Sequence, residues 1–205
     1  MDRRSFVLGA PVALAGCGGA VSVWAPDDVI NRAVSRGTGP KSLNLLTMRN
    51  TGSGNGAHSS LVIDAIQRII FDPAGSFSTP SIPERNDVLF GISPQIEQFY
   101  ISYHARSSFY VEAQKIDVTP EVAEQAMRLA LAYGAVPQGA CTRATSSVLQ
   151  QLPGFESLRV TYFPNNLRDR FANIPGVSLR EYRETDGDDN SIAAAQINAR
   201  LTAGR

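Results

Sequence analysis

Cysteine and histidine are scarce in this 205-residue chain, with two of each. One of each falls where chemistry is possible. Cys141 follows Gly139-Ala140 and opens a run in which Cys141, Thr145, Val148 and Leu152 share one helical face. That spacing puts the thiol at or near the first turn of a helix, with Pro137 and Gly139 marking the loop before it. A thiol attacks as its thiolate, and its pKa falls at a helix amino terminus and beside an imidazolium. His58 is the candidate base, and Asp72 the carboxylate that would orient its ring, completing a nucleophile–base–orienter set. The free backbone N–H of Cys141 at the helix start would then donate to an oxyanion. Each residue also has a plain structural role open to it. A cysteine is often buried and inert. A lone histidine caps strands or bonds carbonyls, and Asp before Pro73 is a common turn opener. His104, the competing base, closes an amphipathic helix and is expected to interact with the dipole there. Zinc held by Cys141, His58 and an aspartate is disfavoured by the shortage of nitrogen and sulfur ligands. No metal or cofactor is expected.

The elements that must bring these residues together start with a hairpin over residues 56–75. Two β-branched runs, Leu61–Ile63 and Ile69–Phe71, flank a polar break. A three-residue loop at Asp64–Ile66 would set Ile63 opposite Gln67 and His58 opposite Asp72 on one face. A two-residue loop would send them to opposite faces. Before the hairpin, Ser42–Arg49 reads as a buried strand, and the glycine-rich loop Asn50–Gly56 as the turn that delivers His58. A short helix is expected over Asp27–Ser35. Pro73–Asp87 is expected to be irregular, as segments that cover clefts often are. Ser93-Pro94 opens a helix to about Ala105, Ser107–Val118 has strand composition, and Thr119-Pro120 opens a helix that Gly134 ends. After the Cys141 helix come a helix from Pro164 to about Asn173, a strand at Val177–Arg183, an acidic link and a terminal helix at Ser191–Leu201.

The whole chain bounds the function. Lysine plus arginine equals aspartate plus glutamate at 19 each, which argues against a nucleic-acid partner held by phosphate contacts. No apolar run reaches the roughly 20 residues of a membrane span. At the amino terminus, Arg3-Arg4 precedes a short apolar run, Phe6–Gly16, of signal-peptide dimensions. The run ends in Leu14-Ala15-Gly16-Cys17, which resembles a bacterial lipobox, and Arg-Arg-x-Phe resembles a twin-arginine export signal. The resemblance implies cleavage before Cys17 and a diacylglycerol on its sulfur. Residues 1–16 are then signal peptide and 17–41 a lipidated tether with the short helix. The expected protein is an exported lipoprotein anchored in the membrane through Cys17. Gly18, where aspartate often marks inner-membrane retention, tilts the expectation to the periplasmic face of the outer membrane. Lipidation of Cys17 would leave Cys141 as an unpaired thiol in an oxidising compartment.

Histidine at a strand entrance, carboxylate on the next strand and cysteine later at a helix start resembles the circularly permuted papain-like enzymes. These include NlpC-type thiol peptidases and related acyltransferases and lipid hydrolases. The likeness spans residues 42–183, with 184–205 a polar linker and terminal helix. It departs where Gly139-Ala140 precedes the cysteine and in the long Pro73–Asp87 stretch. The resemblance implies an α+β fold, a small antiparallel sheet packed against helices, with Cys141 as nucleophile, His58 as base and Asp72 as orienting group. It also implies a hydrolase or acyltransferase acting on an envelope amide or ester, in a peptide, a lipid or an acyl-protein. The alternative is a non-catalytic envelope lipoprotein that uses the scaffold for binding or assembly.

Overall fold

Leu43, Leu45, Leu46 and Met48 follow one another so closely that no face of their strand can meet water, and none does. Strand β1 (Ser42–Asn50) is sandwiched between β2 (Gly56–Asp64) and β6 (Phe109–Asp117), antiparallel to both. In the computed structural model, which describes residues 19–203, the chain is α+β. The remaining strands are β3 (Arg68–Phe71), β4 (Glu84–Arg85), β5 (Val88–Phe90) and β7 (Ser178–Tyr182). All seven form one antiparallel sheet in the order β4-β5-β3-β2-β1-β6-β7.

Helices cover both faces. Leu43, Leu45, Leu61, Ile63 and Phe71 point to a core shared with α3 (Pro120–Tyr133), α4 (Cys141–Gln150) and α5 (Pro164–Ala172). Leu46, Met48, Val62, Ile70 and Val111 point the other way, to α2 (Pro94–His104) and α6 (Asn190–Ala203). Helix starts follow the sequence signals. Ser93 and Thr119 accept from the N–H groups of Ile96 and Val122, and a proline follows each cap. Gly134 stops α3 with φ at 86°. A sixth helix, α1 (Asp27–Arg32), buries Ile30.

The hairpin differs from expectation in register. The loop is residues 65–67, not Asp64–Ile66, and Ile63 pairs with Ile69 rather than Gln67. Tertiary contacts close this turn in place of a left-handed residue. Lys41 Nζ donates to Ala65 O at 2.6 Å, and the Ile66 N–H donates to the Glu124 carboxylate. The two registers differ by two residues, and a shift of two leaves every side chain on its own face. His58 and Asp72 therefore stay on one face as diagonal neighbours rather than as an opposed pair.

The stretch Pro73–Asp87 is not wholly irregular, because β4 lies inside it and pairs with β5. The link is the two residues Asn86-Asp87, with φ at 44° and 66°. Two successive positive φ values are what a tight hairpin of matching twist requires, and Asn and Asp tolerate them. The amino-terminal segment joins this edge of the sheet. Trp24 bridges to Arg85, and Ala25 N–H donates to Glu84 O at 3.0 Å. Among the described residues no helix is long and apolar enough to cross a membrane. The expected signal peptide and Cys17 lie outside the described residues.

Candidate active site

The site forms where β3 runs out. Pairing between β2 and β3 ends at Leu61–Phe71, so residues 56–60 of β2 have no strand on that side. Pro73, which has no N–H to donate, follows Asp72 and ends the ladder. The amino terminus of α4 fills the gap from one face, and the carboxy-terminal turn of α2 lies on the other. A bulge near Ala57, where the β1 register slips between Met48–His58 and Arg49–Gly56, sits directly before His58.

Asp72, His58 and Cys141 come together in this gap. His58 Nε2 donates to Asp72 Oδ1 at 2.6 Å, and the same oxygen accepts from Tyr100 Oη at 2.6 Å. Asp72 is fixed from below by a tight turn, in which Gly75 N–H donates to Asp72 O at 2.9 Å and Ala74 takes φ 55°. Its carboxylate lies over Gly75 so closely that a Cβ there would stand 1.9 Å from Oδ2. The Cys141 thiol lies within electrostatic reach of the imidazole, its Sγ 3.7 Å from Thr142 Oγ1, whose other partner is Ser59, the residue after His58.

The turn that presents Cys141 is built locally. Ala140 N–H donates to Pro137 O at 3.2 Å across a turn whose Gly139 has φ 81°. Thr142 and Thr145 then stitch the first turns of α4 to one residue of β2. Ser59 Oγ and Thr142 Oγ1 are hydrogen-bonded at 3.1 Å, and Thr145 Oγ1 donates to Ser59 O at 3.4 Å. The N-cap, Ala140, has no side chain to cap the helix, so no capping side chain takes up the first N–H groups of α4.

Electrostatics separate the groups. Burial alone would lower the His58 pKa, but the hydrogen bond and charge of Asp72, with a smaller part from Cys141, raise it to about 10. Burial raises the Cys141 thiol, yet His58 first, then the Ser59 backbone and Thr142, bring it down to about 7. Burial also works against the Asp72 carboxylate, and His58 overrides it and lowers the pKa. The arrangement favours thiolate, imidazolium and carboxylate in a row near neutral pH.

His104 departs from its expected role. Its Nδ1 donates to Tyr100 O at 2.8 Å, so it does meet a carbonyl of the last helical turn. Burial nevertheless drives its pKa down to about 4, so the ring is neutral and carries no charge for the dipole. It lies on His58 instead, with ring centroids 6.0 Å apart.

A cavity of about 310 Å³ opens beside the base, walled by His58, His104, Ala74–Ser76, Gln138 and Arg106 among others. Cys141 is 7% exposed and is not among the residues of that wall. Among the described residues no cluster of His, Cys, Asp and Glu is arranged to hold a metal ion.

Sequence reasoning missed two supporting residues. Tyr100 belongs to the apolar stripe of α2, where nothing marks its hydroxyl as a partner for Asp72. Asp87 sits in the β4–β5 turn, where its Oδ2 accepts from Val136 N–H at 2.8 Å and its carbonyl accepts from Asp72 N–H at 2.8 Å. One residue thus ties the loop before the thiol to the strand end that carries the carboxylate. The usable signal was Asn86-Asp87 directly before the β-forming run Val88–Phe90, since both residues tolerate the positive φ of a tight hairpin turn.

No protein-family model matches the chain, and neither a curated protein nor a solved structure matches it.

Proposed function

We propose that this chain is an exported, lipid-anchored cysteine hydrolase or acyltransferase built on a permuted papain-like scaffold, acting on an amide or ester of the cell envelope. The observation that carries the reading is the His58–Asp72 hydrogen bond at 2.6 Å, on a strand whose next residue, Ser59, is bonded to Thr142 beside Cys141.

The chemistry runs through two displacements. The Cys141 thiolate attacks the substrate carbonyl carbon, forming a C–S bond and pushing the π electrons onto oxygen. The N–H groups at the start of α4 stabilise that oxyanion. As the tetrahedral intermediate collapses, the C–N or C–O bond breaks and the leaving group takes its proton from the His58 imidazolium. His58, now neutral, accepts a proton from water in hydrolysis, or from an acceptor alcohol or amine in transfer. The resulting nucleophile attacks the thioester and releases Cys141. Asp72 holds the ring and offsets its charge throughout.

The anchor belongs to the same reading. A lipid on Cys17 would sit a few residues from Trp24, which is fixed to the sheet edge at Arg85. Extended chain covers roughly 3.5 Å per residue, so such a tether keeps the domain within roughly 25 Å of the bilayer.

The test is labelling of the full chain with a thiol-reactive acyl probe. Cys141→Ala should abolish the labelling while far-ultraviolet circular dichroism stays unchanged. Equal labelling of both proteins would remove the proposal. The burial of Cys141 favours a second reading, a non-catalytic lipoprotein that uses the cavity for binding. Thiol titration separates the two, since an activated Cys141 reacts near pH 7 and a buried structural thiol reacts only on unfolding.

A further inference from the structure

We propose that Arg106 makes the cavity beside His58 a receptor for a carboxylate, so that the substrate's acyl group carries a free carboxylate near the carbonyl to be attacked. This deepens the hydrolase or acyltransferase reading and rests on it for the reaction.

Arg106 is 6% exposed, an unusual depth for a guanidinium, and it follows α2 in the wall between this cavity and a second one under α6. Its bonds do not use what it offers. Nε reaches Tyr103 O and Nη1 reaches Asp186 Oδ2, each at 3.4 Å, near the outer limit for a hydrogen bond. Nη2 donates to no group among the described residues. A guanidinium has five N–H donors in a planar fork, so Arg106 keeps donors to spare, and Nη2 is not among the side-chain atoms sealed from solvent without a partner. Asp186 compensates little, because its side chain is 72% exposed and solvated.

The acidic group in the wall is already committed. Asp188 Oδ1 accepts from Ser107 Oγ at 3.1 Å and Ser108 N–H at 3.0 Å, and its Oδ2 accepts from Ser108 Oγ at 2.6 Å. Arg106 is left as the cation with free donors beside the base. Met48, Phe109 and the neutral ring of His104 supply apolar wall for a short chain between the carboxylate and the reacting carbonyl. Asp188 in this wall, with Asp186 against Arg106 in the neighbouring cavity, disfavours a phosphate dianion, and a planar, singly charged carboxylate matches the fork in two parallel hydrogen bonds.

The test compares p-nitrophenyl hydrogen glutarate with its methyl ester on the full chain. Wild-type protein should show kcat/KM about tenfold higher for the free carboxylate, the scale of a charge-assisted hydrogen bond. Arg106→Gln should lose that preference. Asp186→Asn, which removes a solvated competitor without touching the core, should widen it, and this arm stands even where the Arg106 variant does not fold. Equal rates on the two esters in wild type, or no change in Asp186→Asn, would overturn the proposal. If neither ester is turned over, the reading of Cys141 is what fails. Calorimetric titration of glutarate into the Cys141→Ala protein then still judges Arg106. Binding there supports the site, and absence of binding refutes it.

Discussion

His58 and His104 lie with ring centroids 6.0 Å apart and planes only 15° from parallel, yet they are held in opposite protonation states. Both rings are buried, and burial lowers both. His58 alone has the Asp72 carboxylate on its Nε2, which carries it up to about 10, whereas His104 spends its Nδ1 on a backbone carbonyl and falls to about 4. The charge of each opposes the other, so one cation in the stack discourages a second.

The two histidines should therefore differ sharply in their effect on the thiol. Cys141 owes its lowered pKa of about 7 to His58. In His58→Gln the midpoint of iodoacetamide alkylation against pH should move up to the ordinary thiol value of 9.0 or above, because burial then acts with little opposition. In His104→Gln, which keeps a donor for Tyr100 O, the midpoint should stay near that of wild type. A shift of equal size in both variants would show that general solvation, not the His58 pair, sets the thiol.

The same shifts fix how stability depends on pH. His58 has a folded pKa of about 10 against an ordinary 6.5, so its stabilising effect is complete below 6.5 and is lost as pH rises toward 10. Cys141 runs the other way. Its folded value of about 7 against an ordinary 9.0 adds stability as pH rises between them. The two slopes offset between about 7 and 9, giving a plateau. His104, neutral down to about 4, makes stability fall as pH drops from 6.5 toward 4, and Asp72, with its lowered value, extends the loss as it too is protonated. Urea unfolding midpoints should trace this plateau in wild type and decline from about pH 6.5 upward in Cys141→Ser, where only the His58 slope remains.

Tyr100 is fully buried, and its hydroxyl donates to Asp72 Oδ1 at 2.6 Å. Tyr100→Phe removes one of two donors to that oxygen while keeping the ring that packs on Phe77. The expected cost is about 1–3 kcal/mol of stability. On any substrate the protein turns over, kcat should fall and KM hold, because Tyr100 orients the carboxylate and meets no substrate. A change confined to KM would place the hydroxyl in the binding wall instead.

The sequence made the elements legible wherever one strong local rule applied. Ser93-Pro94 and Thr119-Pro120 mark helix starts through cap and fixed φ, and the apolar run of β1 demands burial on both faces. His58, Asp72 and Cys141 were legible as candidates because their residue types are few. Their meeting was not legible, because it depends on where β3 ends relative to β2. That length is set by Pro73 together with the Asp87–Asp72 backbone bond from a neighbouring hairpin. The hairpin register was misread by two residues because Lys41 and Glu124, distant in sequence, close the 65–67 turn. The face assignment survived because only odd shifts exchange faces. The role of His104 escaped because a helix-end histidine reads as a cation until its burial is known.

Gly75 offers the sharpest probe of the site's construction. It has no unusual φ, so a side chain is not excluded by backbone conformation. What excludes one is the Asp72 carboxylate, whose Oδ2, Cγ and Oδ1 would stand 1.9, 2.2 and 2.5 Å from a Cβ. That carboxylate cannot swing aside freely, since Oδ1 is bonded to both His58 and Tyr100. Gly75→Ala must therefore shift the turn or break those bonds, at about 1–3 kcal/mol for a forced fit. If the carboxylate yields, His58 loses its partner and the Cys141 alkylation midpoint rises as it does in His58→Gln. Gly134→Ala is the control, because its Cβ would meet nothing within 4 Å and its φ of 86° gives only local strain. It should lower stability and leave the Cys141 midpoint in place. Equal midpoints in the two variants would mean that Asp72 does not govern the imidazole.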